Sequence, residues 1–251
     1  MSNQKYFRDY FSNHAGDYAA YRPTYPAALF SYLAQITPDH QLAWDCGTGN
    51  GQAAVELAKD FKQVIASDPS AEQIKAATPK TNIMYRVFSA EQTDLTDNSV
   101  DLITVAQALH WFDFAKFYAE AKRVLKPNGV IAAWCYSLTR VDPAVDAIID
   151  HFYWNIIPDY WDPRRKLIDE EYKTIPFPFN KIITPVFQME QNWDLLQFIN
   201  YINTWSGLKA YIKQKGVNPL EQLFPQLVAA WGTPTTVKTV CWPLHLLVGK
   251  T

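Results

Sequence analysis

The segment Trp44-Asp45-Cys46-Gly47-Thr48-Gly49-Asn50-Gly51 restricts the fold of this chain more than any other. It is entered from the apolar run Leu42-Ala43-Trp44 and left through a helical stretch, Gln52 to Lys59. Three glycines at alternate positions suit a chain that turns sharply and lies against a ligand, where Cβ atoms would collide. The helix behind them offers free N–H groups and the positive end of its dipole to a polar or anionic group. Strand, glycine turn and helix in that order predict the first crossing of an α/β sheet with a nucleotide-like ligand at the turn.

The spacing narrows the ligand. A dinucleotide loop places glycines as G-x-G-x-x-G, but the third position here is Gln52 and Gly51 comes one residue early. Asp45 stands two residues before Gly47, and a carboxylate there repels phosphate while attracting a cation. S-adenosylmethionine carries an ammonium and a sulfonium and no phosphate. The loop therefore resembles the glycine-rich first motif of class I S-adenosylmethionine-dependent methyltransferases. That resemblance implies that Asp45, Gly47, Thr48, Gly49 and Gly51 hold S-adenosyl-L-methionine.

A second apolar strand, Gln63 to Ser67, ends at Asp68, which is placed to accept hydrogen bonds from both ribose hydroxyls. Asp68 or Ser70 is equally placed to cap the helix that follows. A third strand, Ile83 to Phe88, leads into Ala90 and Glu91, the adenine edge by resemblance. The near-continuous apolar run Ser99 to Ala106 predicts a central parallel strand buried on both faces. It opens onto Gln107-Ala108-Leu109-His110-Trp111, which by resemblance carries the methionine end of the cofactor and faces the acceptor. A helix over Phe114–Leu125 stops at Lys126-Pro127-Asn128-Gly129, and a fifth strand runs from Val130 to Tyr136. Alternation of strands and helices over 40–137 predicts a doubly wound α/β sheet. The family expectation is seven strands, mostly parallel, with the antiparallel last strand inserted beside strand five.

At 251 residues the expectation is one domain spanning 1–251, with its core sheet over 40–137, a cap insertion over 140–181 and an N-terminal lid over 1–26. The net charge of −2 gives no electrostatic footprint for nucleic acid, and no apolar stretch is long enough to cross a bilayer. Three isolated cysteines, Cys46, Cys135 and Cys241, lack metal-ligand spacing and suit a reducing cytoplasm. No metal is expected, and the sequence leaves the oligomeric state open.

Beyond the sheet unit, a helix begins near Asp142-Pro143 and stops at Pro158. A strand is expected over Ile182–Glu190, a helix over Leu195–Trp205, another from Asn218-Pro219 to about Trp231, and a last strand over Val237–Val248. The segment Tyr18 to Pro26 precedes a helix over Ala27–Ile36. With Ala108 to Phe112, Thr174 to Phe179 and Asn203 to Ser206, it resembles the trans-aconitate methyltransferase-like small-molecule group.

The resemblance implies methyl transfer by in-line displacement, in which the protein aligns the reacting atoms and excludes water. A carboxylate acceptor is already ionised near pH 7 and needs no base, whereas an amine or phenol can require one. His110 is the candidate base, or else a residue that orients its loop. Trp111 is a candidate wall of the site or a core residue. Arg22 is placed to meet the cofactor's carboxylate or to pin the N-terminal arm. Tyr18, Tyr21, Arg164 and Trp205 complete the candidate acceptor-binding set. The competing functions are an NAD-dependent oxidoreductase, which the glycine spacing and Asp45 oppose, and an S-adenosylmethionine-binding module without turnover. A protein or nucleic-acid methyltransferase is disfavoured by the absence of a basic surface signal and of an Asn-Pro-Pro-Tyr-type loop at Gln107–His110.

Overall fold

The computed structural model describes residues 21–251; Tyr18 and most of the expected lid lie outside the described residues. The described strands form an eight-stranded sheet in the order β3-β2-β1-β4-β5-β8-β6, with β7 pairing β8. Here β1 is Leu42–Cys46, β2 Gln63–Ser67, β3 Ile83–Arg86, β4 Val100–Ala106, β5 Leu125–Tyr136, β6 Asn180–Lys181, β7 Phe187–Trp193 and β8 Lys238–Lys250. Strands β1 to β5 pair in parallel, and β8 is antiparallel to β5 with Tyr136 opposite Leu244 and Val130 opposite Lys250. This is the expected doubly wound α/β sheet with its last strand inserted beside the fifth.

The chain divides into two compact units. One comprises 25–137, 166–188 and 243–251. Its helices are α1 (Ala27–Ile36), α2 (Gln52–Leu57), α3 (Ala71–Lys75) and α4 (Phe114–Val124), with all but the first residue of α6 (Arg165–Asp169). Strand β4 is buried along nearly its whole length, as a central strand covered on both faces must be. Its core joins Trp44, Val105, Leu109, Phe117, Ile131 and Cys135 with Ile168, Tyr172 and Ile175 from the later segment.

Of the described residues, the other unit comprises 21–24, 138–165 and 189–242. It holds α5 (Pro143–His151), a π-helical turn (Phe152–Ile156), α7 (Leu195–Asn203), α8 (Ser206–Lys215) and α9 (Leu220–Trp231). Asp142 caps α5 through the Ala144 and Val145 amides, with Pro143 at the first helical position, where its missing N–H costs nothing. Aromatic side chains fill this unit: Trp242 donates to the Tyr201 hydroxyl at 2.8 Å, and Trp193 packs on both rings.

Several element ends depart from expectation. The third strand stops at Arg86 rather than Phe88, because β3 is an edge whose sole ladder ends at Ser67 opposite Arg86. The fifth strand begins at Leu125 rather than Val130, and a register shift between Val100 and Leu102 accommodates the left-handed Asn128. Residues 182–186 are not strand. Pro185 has no N–H for a ladder, and Ile183 and Val186 are almost fully exposed. The helix expected over Leu195–Trp205 ends at Asn203, and the sequence reading had no counterpart for α8, which stops at left-handed Gly216.

Candidate functional site

The turn after β1 is built from left-handed glycines, with φ of 69° at Gly47, 57° at Gly49 and 89° at Gly51. They do different work. A Cβ on Gly47 would lie 2.7 Å from the Ala108 Cβ and 3.2 Å from the Phe112 ring, and one on Gly51 would lie 2.5 Å from the Tyr85 hydroxyl. A Cβ on Gly49 would enter open space, its nearest neighbour being Gln73 Oε1 at 3.9 Å. Gly47 and Gly51 thus permit close packing within the fold, while Gly49 leaves room for a ligand. The Thr48 amide donates to the Ser67 carbonyl at 2.9 Å and ties the turn to β2.

Asp45 has no solvent exposure. Its oxygens accept from the Thr48 and Thr104 hydroxyls, the latter at 2.8 Å. Burial raises its pKa to about 6 against the opposing hydrogen bonds of Thr48, Thr104 and the Ala54 amide, with a smaller upward push from the charge of Asp68. Asp45 therefore braces the glycine turn from beneath.

Asp68, partly exposed, accepts from the Gly49 amide at 3.0 Å through one oxygen and from the Ser70 amide at 2.9 Å through the other. Each oxygen keeps a further lone pair for an outside donor. The cap of α3 is Ser70, which accepts from the Gln73 amide at 3.3 Å. Ala90 is buried, and Glu91 accepts from the Asp113 amide at 3.0 Å, bracing the start of α4. The open space at Gly49, the adjacent Asp68 carboxylate and the Glu91 edge fit a nucleoside whose charge is not phosphate.

The residues after β4 form a second cluster in the same unit. Gln107 is left-handed at φ 55°; its amide donates to the Trp134 carbonyl and its Oε1 accepts from the Tyr136 amide at 2.8 Å. His110 is buried, with Nδ1 2.9 Å from the Tyr172 hydroxyl. Trp111 stacks at a tilt on His110 and stays 48% exposed, so it is no core residue.

The remaining candidates belong to the other unit. Tyr21 and Arg22 are half-buried. Arg164 is exposed and pairs in two places with Asp162, Nε at 3.0 Å and a terminal nitrogen at 3.1 Å. Trp205 is buried against Phe152, Tyr153, Trp161 and Tyr201. Its neighbour Arg165 lies over the Trp161 ring at 4.6 Å and donates to the Tyr153 hydroxyl at 2.8 Å. Burial first, and then the charge of Arg22, hold the Lys209 ammonium below its usual pKa. Sequence reading assigned no site role to Thr104, Tyr85 or Tyr172; a polar Thr104 in the apolar second half of β4 was the one available signal.

Among the described residues, no group of His, Cys, Asp and Glu is arranged to hold a metal, and no helix is long and apolar enough to cross a membrane.

Residues 44–133 match the model of a methyltransferase domain. A Dictyostelium discoideum protein named as a methyltransferase is 37% identical over 251 residues, covering 97% of this chain and 95% of that protein. A Saccharomyces cerevisiae protein named as an S-adenosylmethionine-dependent methyltransferase is 29% identical over 148 residues, covering 55% of this chain and 51% of its own length. Among solved structures, a methyltransferase from Anaeromyxobacter dehalogenans superposes with a TM-score of 0.87 at 42% identity, covering 91% of this chain and 97% of its own. These matches carry methyl transfer and its cofactor to this protein and remove the oxidoreductase alternative. The chain belongs to the class I S-adenosylmethionine-dependent methyltransferases.

Proposed function

We propose that this methyltransferase acts on a carboxylate oxygen of a small cytoplasmic acid, with 1–251 working as one catalytic domain. The observation it draws on is that the charge of Arg22 bears on the Lys209 ammonium, which is exposed in the same unit. In this reading each of the two cations meets one carboxylate. We assign Arg22 to that of the cofactor and Lys209 to that of the acceptor, the pairings being charge-assisted. The resemblance to the trans-aconitate methyltransferase-like group supports the same acceptor class, and the buried free thiols Cys46 and Cys135 suit a reducing compartment.

In this reading Asp68 receives the ribose, Ala90 and Glu91 border the adenine, and Gln107 shapes the turn at the methionine end. Thr48 and Asp45 hold the glycine turn in position. Bound S-adenosylmethionine supplies a methyl group already activated by its sulfonium. The chain contributes alignment and exclusion of water. Tyr18, Tyr21, Trp111, Arg164 and Trp205 are assigned to acceptor choice, with 1–26 as lid and 140–181 as cap.

Tritiated S-adenosylmethionine offered with di- and tricarboxylates, aromatic acids, phenols and amines tests the acceptor. Label recovered as volatile methanol after mild alkali identifies a carboxyl ester; label fixed only on amines or phenols refutes the carboxylate reading. Lys209→Ala is expected to raise the acceptor KM about tenfold to a hundredfold, the scale of a charge-assisted hydrogen bond, with S-adenosylhomocysteine affinity unchanged. Asp68→Ala is expected to weaken S-adenosylhomocysteine binding by ~1–3 kcal/mol, measured by calorimetric titration. Unchanged affinity would remove Asp68 from the cofactor site.

A further inference from the structure

Tyr172 occupies a position that its sequence does not announce. After α6 the amides of Glu171 and Tyr172 donate back to Ile168 and Leu167, at 2.8 and 2.9 Å. Both residues are left-handed, with φ of 58° and 59°. Two consecutive non-glycine residues in that region are a conformation L-residues avoid, and it persists only where surrounding contacts enforce it. The contact enforced here is specific: the Tyr172 ring is buried completely and its hydroxyl lies 2.9 Å from His110 Nδ1.

Burial pushes the Tyr172 phenol far above its usual pKa, so its proton stays on the oxygen near neutrality. A phenol has one proton to give and accepts through its lone pairs. A phenolic proton buried in the core needs an acceptor, and Nδ1 of His110 is within reach at 2.9 Å. The reverse arrangement, Nδ1–H donating to the phenol, would strand the phenolic proton in the core. Cys135 and Tyr25 are the other titratable groups acting on this hydroxyl.

We infer that Tyr172 is a positioning residue whose hydroxyl donates to His110 Nδ1 and fixes the imidazole in the tautomer that carries its proton on Nε2. His110 is then a hydrogen-bond donor rather than a general base. A donor suits an acceptor whose reacting group is an oxygen anion, which needs orientation and no deprotonation. The inference rests on the reading that the loop after β4 faces the acceptor, and it deepens that reading by replacing base with donor.

The test needs no acceptor, so its failure is separable from failure of the carboxylate assay. Full-length protein labelled with ¹⁵N-histidine, loaded with S-adenosylhomocysteine, is recorded in two-bond ¹H–¹⁵N correlation spectra. His110 is assigned by its loss in His110→Gln. The expected result is a single tautomer with Nε2 protonated and Nδ1 bare. Tyr172→Phe, which removes only the hydroxyl, is expected to replace that pattern with averaging of both tautomers. A wild-type His110 protonated on Nδ1 would overturn the inference without reference to any variant's folding. An unchanged tautomer in Tyr172→Phe would also overturn it.

Discussion

Gly47→Ala is expected to abolish measurable cofactor binding and to destabilise the fold, whereas Gly49→Ala is expected to leave the fold nearly intact. Both glycines are left-handed, so each substitution carries the backbone penalty of about 1 kcal/mol or slightly more. They differ in what the new methyl group meets. At Gly47 it arrives 2.7 Å from the Cβ of buried Ala108, with the Phe112 ring on its other side. Neither is the tip of a long flexible chain that could swing away. Overpacking of this kind costs roughly 1–3 kcal/mol, so the total loss is about 2–4 kcal/mol. The strain that remains displaces the glycine turn or the loop carrying His110. S-adenosylhomocysteine affinity should fall at least about a hundredfold, the equivalent of ~2.7 kcal/mol. Denaturant unfolding and titration calorimetry on the two variants check this. Equal unfolding midpoints for the two would mean that the contact with Ala108 is not what requires glycine at 47.

The second large effect concerns pH. Burial raises the pKa of Asp45 in the folded protein from 3.8 to about 6. The folded state therefore holds this proton more tightly than the unfolded chain. The resulting stabilisation is fully present below about pH 3.8, declines as pH rises, and is lost above about pH 6. A displacement of that size corresponds to about 3 kcal/mol. Other carboxylates work in the opposite sense; Glu120, for example, is held low first by the Arg123 guanidinium. The quantity to measure is thus the difference between wild type and Asp45→Asn. In the absence of cofactor, wild type should lose stability relative to Asp45→Asn between about pH 4 and 6, and the difference should be flat above that range. A difference independent of pH would show that folding leaves the pKa of Asp45 unchanged, the Thr48 and Thr104 hydrogen bonds offsetting its burial.

The alternation of strands and helices that makes the doubly wound sheet was legible from local signals, apolar runs and the glycine turn after β1, while the place of the last strand came from the family resemblance. The different duties of the glycines were not legible. Gly47 and Gly49 look alike in sequence, and only the approach of Ala108 and Phe112, about sixty residues further along, distinguishes packing from ligand space. Asp45 was singled out from its position before the glycine turn, and the structure places it beneath that turn. Its full burial beneath the turn depends on Thr104, whose hydroxyl points inward from a strand otherwise read as apolar. Tyr172 was unreadable for another reason. Left-handed backbone at Glu171 and Tyr172 contradicts the local preference of both residue types, and long-range contacts impose it. Strand ends were misplaced where a neighbour ran out, as at Arg86, or where proline removed a donor, as at Pro185.

The insertion of β8 beside β5 has a consequence for how the chain is made. Strands β1 to β5 are joined by short connections, helical except between β3 and β4, and can assemble soon after they leave the ribosome. Tyr136 and Leu244, by contrast, meet only after roughly a hundred further residues have been synthesised, a separation that slows pairing. Until then the apolar β5, with Val130 to Cys135 otherwise buried, presents an open edge of unpaired amides and carbonyls. Nascent chains paused before β8 should be the most prone to aggregate and the most dependent on chaperones.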